Sequence, residues 1–432
     1  MADTLTNATI HAALAEARER YIAANSASLA AHVEATAVMP GGNTRTVLFH
    51  APFPLTMARG AGCRLWDADG HEYVDLLGEY SAGLYGHSNP VIRAALDGAL
   101  DGGWNLGGHG VMEARLARLV CDRFPSLDLV RFTNSGTEAN LMAIATALAV
   151  TGRRRVMVFG GGYHGGILYF GASGAGFGIP INAPHDWVLA PYNDAAGTAA
   201  LLDESIGAIL VEPMQGSGGC IPADAAFLAM LRAEASRIGA VLIFDEVMTS
   251  RMSAGGEQAR LGITPDMTTL GKYIGGGMSF GAFGGRRDIM ERYDPRLPDA
   301  IPHAGTFNNN VLTMAAGVAG LTHIFTAEAA DALFARGEAL RVALDGITPA
   351  MRWTGVGSLM CVHFQHDAPH APAGLRDRPD LRELFFLDML QGGFYLAKRG
   401  MVALSLEIGD AEGVAFVDAV REFAQVRRGL LQ

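Results

Sequence analysis

The sequence of 432 residues is half hydrophobic and 18% charged, which excludes a disordered chain or a small disulfide-stabilised protein and leaves room for about two or three domains. Its formal net charge of −11 argues against binding to nucleic acid or an anionic membrane, because either surface needs clustered lysine and arginine. Its four cysteines lie far apart, its N-terminus lacks a signal-peptide pattern, and its apolar runs are too short to cross a bilayer. We therefore expect a soluble cytoplasmic protein with reduced thiols.

A hairpin and a series of buried strands are the first elements that the sequence predicts. Residues 64–77 alternate around an Asp-Gly turn, which is a hairpin signal. Apolar runs of strand length follow at Leu129–Phe132, Arg155–Phe159, Ala208–Val211 and Val241–Phe244. Between the last two runs, residues 225–238 carry apolar side chains at helical spacing. Strand–helix–strand order with continuously apolar strands predicts an α/β fold, with a mostly parallel sheet covered on both faces.

The C-terminal part of the chain predicts helices around Leu333–Leu344 and Leu381–Leu390, with a loop over Gln365–Pro379 between them. We therefore predict a large central domain over residues 85–325. A smaller α+β domain would be assembled from both termini, residues 1–84 and 326–432.

A histidine cluster in this region was considered as a metal site. His363, His366 and His370 lie beside Asp367 in the predicted loop. Their spacing is not that of a metal site, so we predict no bound metal.

The segment Asn134–Glu138 follows a predicted strand and precedes a helix that should extend to about Val150. Ser135, Gly136 and Thr137 lie in this turn, where several backbone N–H groups and the positive helix end suit a phosphate dianion. An ordinary helix N-cap explains the same residues.

Asp245 ends the apolar run over residues 241–244, at the carboxyl edge where open α/β sheets bind ligands. A carboxylate at this position can pair with a protonated ring nitrogen, hold a metal together with Glu246, or cap the next segment.

Lys272 is one of two lysines in the chain, the other being Lys398. Its neighbours in sequence are small or apolar and include no acidic residue. A lysine desolvated in this way has a lowered pKa and becomes a nucleophilic amine that can form an imine. The alternative is a solvated loop lysine. It is not a phosphate-loop lysine, because Asp266 and Tyr273 occupy positions that this motif reserves for Gly and Ser or Thr.

The segment Gly160–Gly165 matches the pattern G-x-G-x-x-G. Dinucleotide binding requires a helix to begin there, whereas Ile167–Pro180 is glycine-rich and predicts none. Tyr163 within the segment can act as an aromatic surface for a planar ring. A glycine-rich surface turn is the alternative.

Together these segments resemble the class III pyridoxal-phosphate aminotransferases. The matching pieces, in chain order, are Ser135–Ala139, Tyr163–Gly165, Glu212-Pro213, Asp245–Met248 and Thr269–Lys272. The chain resembles the branch that contains glutamate-1-semialdehyde aminomutase, and within that branch it is most similar to the bacterial β-amino-acid (β-phenylalanine) aminotransferases. Three further segments carry this finer resemblance, namely Met39–Arg45, Phe307–Asn310 and Lys398–Gly400.

The resemblance implies a fold type I enzyme with pyridoxal 5′-phosphate as cofactor and a homodimer with shared active sites. Lys272 would form the Schiff base with the cofactor and move a proton, and Asp245 would keep the pyridine nitrogen protonated. The other implied cofactor contacts are Ser135, Gly136 and Thr137 at the phosphate, Thr306 across the dimer interface, Tyr163 and Val247 on the two ring faces, and Glu212 nearby. The sequence departs from many relatives at Asn308–Val311, where they have Gly-Asn-Pro after the threonine, and at Arg251.

Two arginines in the terminal segments, Arg45 and Arg399, are candidates for binding substrate carboxylates. We hypothesise that Arg45 mainly holds the carboxylate of a β-amino acid, and that Arg399 mainly holds a 2-oxo acid such as 2-oxoglutarate or pyruvate. Solvated surface arginines are the alternative.

Three functions remain open at this stage. The resemblance favours an aminotransferase that passes the amino group of a β-amino acid of the β-phenylalanine type, or of another amine, to a 2-oxo acid. An aminomutase that moves nitrogen within one molecule is the alternative enzyme. A non-catalytic or nucleotide-binding α/β protein would not need both Lys272 and Asp245.

Overall fold

The computed structural model describes residues 9–171 and 182–431. The helices within these ranges, numbered in chain order, are α1 (Ile10–Ala24), α2 (Ser26–Thr36), α3 (Pro90–Asp101), α4 (Glu113–Arg123), α5 (Gly136–Thr151), α6 (Ala195–Ala199), α7 (Ala225–Ile238), α8 (Gly256–Leu261), α9 (Arg287–Met290), α10 (Val311–Ala319), α11 (Ala327–Asp345), α12 (Pro379–Gln391) and α13 (Asp410–Val426).

The strands of the described residues, numbered in the same way, are β1 (Met57–Ala61), β2 (Arg64–Asp67), β3 (Glu72–Asp75), β4 (Leu129–Thr133), β5 (Arg155–Phe159), β6 (Asp186–Ala190), β7 (Ile206–Val211), β8 (Met214–Gln215), β9 (Ile221–Pro222), β10 (Val241–Asp245), β11 (Met267–Gly271), β12 (Gly281–Gly285), β13 (Arg352–Val356), β14 (Leu359–His363), β15 (Phe394–Tyr395) and β16 (Met401–Ala403).

The central sheet has the strand order β4-β12-β11-β10-β7-β5-β6. Its strands are parallel except β12, which runs antiparallel to both β11 and β4. The predictions of strands at β4, β5, β7 and β10 and of the helix α7 are therefore confirmed, as is the mostly parallel α/β fold.

Side-chain alternation along β10 explains why both faces of this sheet are covered. Leu242 and Phe244 pack into the hydrophobic cluster that contains α7, whereas Val241 and Ile243 pack into the cluster that contains α5. Successive side chains of a strand point to opposite faces, so a continuously apolar strand needs a helix layer on each side.

Segments from the two ends of the chain share a second sheet with the order β1-β2-β3-β15. The predicted hairpin is the antiparallel pair β2 and β3, and β3 is also parallel to β15. A third sheet has the order β13-β14-β16. The predicted domain boundaries at residues 84 and 325 stay a prediction.

The predicted C-terminal helices correspond to α11 and α12, and the segment between β14 and α12 is largely loop. His363 was placed in this loop, and that is wrong, because it is the last residue of β14. Its Nε2 lies 2.7 Å from Thr354 Oγ1 and 3.0 Å from the Gly219 carbonyl oxygen, which fixes the ring on the strand. No group of three or more His, Cys, Asp or Glu side chains in residues 9–171 and 182–431 is arranged to hold a metal ion.

No single helix of the described chain is long and apolar enough to span a membrane. One pair, Val311–Ile324 with Ala327–Asp345, meets the length and composition criteria only when both halves are combined across a 77° bend.

Candidate active site

The candidate residues follow the ends of strands at one edge of the central sheet. Because β4, β5, β7, β10 and β11 run in the same direction, the segments after them meet at their carboxyl edge. β4 leads to Ser135, β5 leads to Tyr163, and β7 leads to Glu212. Asp245 is the last residue of β10, and Lys272 follows β11 directly. The strand topology alone therefore gathers these five residues.

The turn before α5 is a helix cap with free backbone donors. Ser135 is the N-cap, and its Oγ accepts a hydrogen bond from the Glu138 backbone N–H at 3.2 Å. The Glu138 carboxylate accepts in turn from the backbone N–H of Asn134 at 3.0 Å. Within the described chain the N–H groups of Gly136 and Thr137 have no acceptor, as is normal for a first helical turn. The N-cap and the anion site are thus compatible descriptions of the same turn.

Thr137 also holds the loop after β5 against this turn. Its Oγ1 accepts from the Gly166 backbone N–H at 3.4 Å. A Cβ atom on Gly165 would lie only 2.3 Å from the same Oγ1, and Gly165 has a φ of +134°. This close approach requires glycine at position 165.

The carboxylate of Asp245 is buried among three donors. Its Oδ2 lies 2.8 Å from both Nδ2 of Asn140 and Nδ1 of His164, and its Oδ1 accepts from the Val247 backbone N–H at 3.0 Å. Asn140 is itself oriented, because its Oδ1 accepts from the Thr269 hydroxyl at 2.7 Å. These contacts fix the position of a negative charge at the sheet edge.

Glu246 turns away from Asp245. Its carboxylate accepts from the backbone N–H groups of Glu257 at 2.7 Å and Gln258 at 3.0 Å, and from the Thr249 hydroxyl at 3.1 Å. The two acidic side chains do not converge, so the geometry does not support a metal held by both.

Lys272 has the left-handed φ of +57°, which is unusual for a residue with a Cβ atom. Its Nζ donates to the carbonyl oxygen of Tyr80. The pKa of Lys272 is lowered to about 8, mainly by burial and then by the guanidinium of Arg399, while Asp245 opposes the decrease. More of the neutral, nucleophilic amine is therefore present near neutral pH than for a solvated lysine.

Glu212 connects the loop of Tyr163 to the turn after β7. Its two carboxylate oxygens accept from the backbone N–H groups of Tyr163 at 2.9 Å and Gly216 at 3.0 Å. The pKa of Glu212 is raised to about 7, mainly because the carboxylate is buried, and nearby His164 limits this increase. The phenol ring of Tyr163 is 45% exposed and available to contact a ligand.

The glycine-rich loop over residues 160–165 does not open a helix. Gly161 donates to the carbonyl of Phe170, and Phe170 donates back to the carbonyl of Gly162, so the chain folds onto itself. The prediction that no helix follows is confirmed as far as Gly171. The rest of that predicted segment, up to residue 180, lies outside the described residues.

Val247 lies between the phosphate turn and the segment before Lys272. A Cβ atom on Gly136 would lie 3.0 Å from both Cγ atoms of Val247, and one on Gly271 would lie 3.2 Å from Cγ1. Both glycines therefore permit a close approach of Val247. Its arrangement opposite Tyr163 stays a prediction.

Both candidate arginines reach the ring of Tyr80. The guanidinium carbon of Arg45 lies 5.9 Å from the ring centroid and that of Arg399 lies 5.3 Å from it. Arg45 is paired with the Glu79 carboxylate at 2.7 Å, and both side chains of this pair are about half exposed. The guanidinium of Arg399 donates to the Met401 sulfur at 3.0 Å. Its Nε is buried without a hydrogen-bond partner in the described chain.

Thr306 is exposed, in a turn that precedes α10. The same turn contacts the phosphate-turn region, because Asn134 Nδ2 donates to Asn308 Oδ1 at 3.0 Å. Within residues 9–171 and 182–431, Thr306 forms no hydrogen bond with the other candidate residues, so its cofactor role stays a prediction.

Sequence reasoning missed the roles of Asn140, Thr269 and Tyr80. Asn140 is a buried amide on a helix whose buried side is mostly apolar, and this signal was available in the sequence. Thr269 lies in a fully buried strand, where a hydroxyl needs a partner. Tyr80 gives no comparable signal, because its carbonyl contacts Lys272 and its ring lies near Arg45 and Arg399 only through tertiary structure.

These features are those of a transaminase site on an α/β sheet, and the comparison with known families agrees. Residues 49–408 match the family model for aminotransferase class III. The chain belongs to this family, whose members are pyridoxal-phosphate-dependent transaminases of fold type I.

Individual relatives show which members of the family the chain is similar to. The chain is 53% identical to the β-phenylalanine transaminase of Variovorax paradoxus over 427 residues, which cover 97% of each chain. The crystal structure of a β-phenylalanine aminotransferase from that organism superposes with a TM-score of 0.95 at 52% identity, covering 98% of this chain and 99% of that one. A transaminase solved with pyridoxal phosphate bound is 30% identical with a TM-score of 0.84, covering 94% and 99%. A glutamate-1-semialdehyde aminomutase from Pseudomonas aeruginosa PAO1 shares the fold, with a TM-score of 0.88 at 24% identity over 98% of each chain.

The donor set of the site fits pyridoxal phosphate. Free N–H groups at Gly136 and Thr137 suit its phosphate, and the buried Asp245 suits a protonated pyridine nitrogen. Val247 offers an apolar surface for its ring, and Lys272 offers an amine whose pKa is lowered.

Proposed function

We propose that this enzyme transfers the amino group of a β-amino acid of the β-phenylalanine type to a 2-oxo acid such as 2-oxoglutarate or pyruvate. The observation that carries the proposal is the position of Arg45 and Arg399 around Tyr80, whose carbonyl binds the Lys272 amine. An aminotransferase with one pocket must bind a carboxylate in each half-reaction. In a β-amino acid the carboxylate lies one carbon further from the amine than in an α-amino acid. One fixed cation therefore cannot bind the carboxylates of both substrates equally well.

The two arginines differ in a way that supports separate tasks. The Nε group of the partly buried Arg399 lacks a partner among the described residues, so a carboxylate would supply an acceptor that it lacks. Arg45 must exchange its surface ion pair with Glu79 for the substrate carboxylate, and such a pair is weak. We therefore assign the 2-oxo acid mainly to Arg399 and the β-amino acid mainly to Arg45.

The remaining residues would hold the cofactor and move the proton. Bound pyridoxal phosphate supplies an electron sink for the substrate carbon that loses its proton. Lys272 carries the cofactor and, when its amine is free, transfers the proton, a role for which its lowered pKa of about 8 is suited. Asp245, held by Asn140 and His164, keeps the pyridine nitrogen protonated.

We also infer a cytoplasmic homodimer in which Thr306 completes the partner's phosphate site. An apolar cavity of about 560 Å³ lies next to α3 and α10, and Leu106, Val111 and Val318 are among the residues that line it. This apolar surface supports a contact with a second copy of the chain. Leu106, Val111 and Phe307 are each more than half exposed, and exposed apolar patches of this kind mark contact sites. Light scattering that gives the mass of one chain would contradict the dimer.

A substrate panel tests the proposal directly. Purified enzyme is offered α-, β- and ω-amines with 2-oxoglutarate or pyruvate while the cofactor absorbance and the product are followed. We expect β-phenylalanine to be among the best donors, with consumption of the 2-oxo acid. If the enzyme instead isomerises glutamate-1-semialdehyde without an external acceptor, the proposal is wrong and the enzyme is an aminomutase.

A further inference from the structure

Four consecutive residues beside Lys272 adopt a left-handed backbone. The φ values are +52° at Gly78, +47° at Glu79, +52° at Tyr80 and +77° at Ser81. Only the first of these is glycine, so the other three pay a steric cost in this conformation. We call residues 78–81 the left-handed turn. Such a turn persists only when surrounding contacts hold it.

The start of the left-handed turn is held by a carboxylate. Asp75 Oδ1 accepts from the backbone N–H groups of Leu77 and Gly78, both at 2.9 Å. The other oxygen of Asp75 lies 2.9 Å from Nε2 of His87. These contacts fix the chain before the strained residues but do not reach Ser81.

The end of the left-handed turn is held by Arg251. This side chain is only 1% exposed, and it donates to the carbonyl oxygen of Ser81 at 3.4 Å, to the Ser358 hydroxyl at 2.9 Å and to the carbonyl oxygen of Leu404. None of these three acceptors carries a charge. Burial lowers the pKa of Arg251 to about 10. A buried guanidinium without a carboxylate partner is costly to desolvate, and here its hydrogen bonds connect the residue after Tyr80 to Ser358 and Leu404.

The consequence of the left-handed turn lies at Tyr80. Its carbonyl accepts from the Lys272 amine, and its ring lies near both Arg45 and Arg399. A change of φ at residues 79–81 would move this carbonyl and this ring together. The geometry of both carboxylate-binding arginines would then change as well.

We infer that Arg251 is a positioning residue that holds the left-handed turn. The turn fixes Tyr80, and Tyr80 in turn keeps Lys272, Arg45 and Arg399 in their positions relative to one another. The predicted changes in substrate binding rest on the proposed function, because that function names the substrates. The predicted conformation of the turn is independent of it.

The test uses the holoenzyme with Arg251→Met, which keeps the length of the side chain and removes its donors. We expect the KM for both the amino donor and the 2-oxo acid to rise about tenfold, with a smaller decrease in kcat, since both arginines share Tyr80. Adding Ser81→Gly should lower both KM values again by at least about threefold, because glycine adopts a positive φ without strain. The Ser81 carbonyl is retained in this double variant, and the Ser81 hydroxyl has no partner to lose.

A matched control separates positioning from general destabilisation. Arg427 is also buried, but it pairs with Asp388 in the C-terminal part of the fold. Arg427→Met should lower the unfolding midpoint while both KM values stay within about twofold of wild type. If Arg251→Met does not yield folded protein, Arg251→Lys takes its place, with a smaller increase in both KM values and the same rescue by Ser81→Gly.

A crystal structure of the Arg251 variant gives a readout independent of turnover. We expect at least one of residues 79–81 to leave the left-handed region. An unchanged turn, unchanged KM values or the absence of rescue by Ser81→Gly would overturn the inference. If wild type does not transaminate β-phenylalanine, the proposed function fails, whereas the crystallographic test of the turn still stands.

Discussion

The buried network around Asp245 and the arginine-bearing surface around Tyr80 belong to one site but are built differently. In the first, which comprises Asn140, His164, Asp245 and Thr269 and which we call the floor, buried side chains bond to one another. In the second, which comprises Arg45, Glu79, Tyr80 and Arg399 and which we call the rim, the groups are partly exposed and the backbone is strained. The floor is complete without a substrate, whereas the rim has donors that a carboxylate can still use.

This difference suggests that the floor supports the chemistry and the rim binds the substrates. A network that is fully hydrogen-bonded keeps one geometry and suits chemistry that every substrate shares. Partly exposed arginines with weak or missing partners can exchange them at low cost. Changes to the floor should therefore lower rates with all substrates, whereas the loss of either arginine of the rim should affect one substrate more than the other.

The largest effect is expected at the amine next to the floor. Lys272→Ala should reduce both half-reactions by about a thousandfold or more, because the variant loses the covalent link and the proton-transfer group. The cofactor should still bind non-covalently. Lys398→Ala, which removes the other lysine, should keep activity within about threefold. Comparable losses in both variants would contradict the assignment.

A second large effect is expected at the carboxylate of the floor. Asp245→Asn keeps the size of the side chain but removes its charge, so the fold should survive. Half-reaction rates should fall by about a hundredfold with every amino donor, as measured by stopped-flow absorbance. Turnover near that of wild type would show that Asp245 only caps the segment at Val247.

The rim should respond differently to each substrate. Arg45→Ala should raise the KM for β-phenylalanine by about tenfold more than that for 2-oxoglutarate, and Arg399→Ala should do the reverse. Arg93→Ala is the matched control, because Arg93 has an ion pair with Asp97 and lies on an exposed helix surface. Equal changes in the KM of both substrates in both variants would contradict the assignment of a different substrate to each arginine.

The smallest predicted effect concerns stability in the cofactor-free protein. Burial lowers the pKa of Lys272 from 10.5 to about 8, so between these pH values the unfolded chain binds more protons than the folded chain. The stability contribution of Lys272 therefore rises with pH across this window. Lys272→Met should be more stable than wild type by about 1–2 kcal/mol at pH 7, a value reduced because Lys272 is partly exposed. Urea unfolding should show this advantage shrinking toward pH 10.5, and an advantage that grows with pH would contradict the explanation.

The floor was easier to predict from the sequence than the rim. Asp245 ends a continuously apolar run, so its place at the carboxyl edge of the sheet can be predicted from the sequence. The strand before Lys272, β11, contains two threonines and a glycine, so the apolar pattern does not predict it. α7 was predicted with its observed bounds because its apolar spacing is regular. His164 lies in the segment Tyr163–Gly165 that carries the family resemblance, but its contact with Asp245 depends on a loop whose path no local pattern fixes.

The rim depends on tertiary contacts that leave little trace in the sequence. The segment Gly78-Glu79-Tyr80-Ser81 contains one glycine, so nothing local predicts four left-handed residues in succession. Asp75 and Arg251 impose this conformation from outside the turn. Arg251 was noted only as a departure from related sequences, because its partners are two backbone carbonyls and a serine from three distant segments.

The identity of the cofactor-bearing lysine is tested most directly by reduction of the holoenzyme with borohydride, followed by proteolysis and mass spectrometry. The two lysines of the chain make the result unambiguous. We predict that the reduced cofactor is found on the peptide containing Lys272. Its recovery on Lys398, or a holoenzyme without any covalently fixed cofactor, would contradict the central assignment of this site.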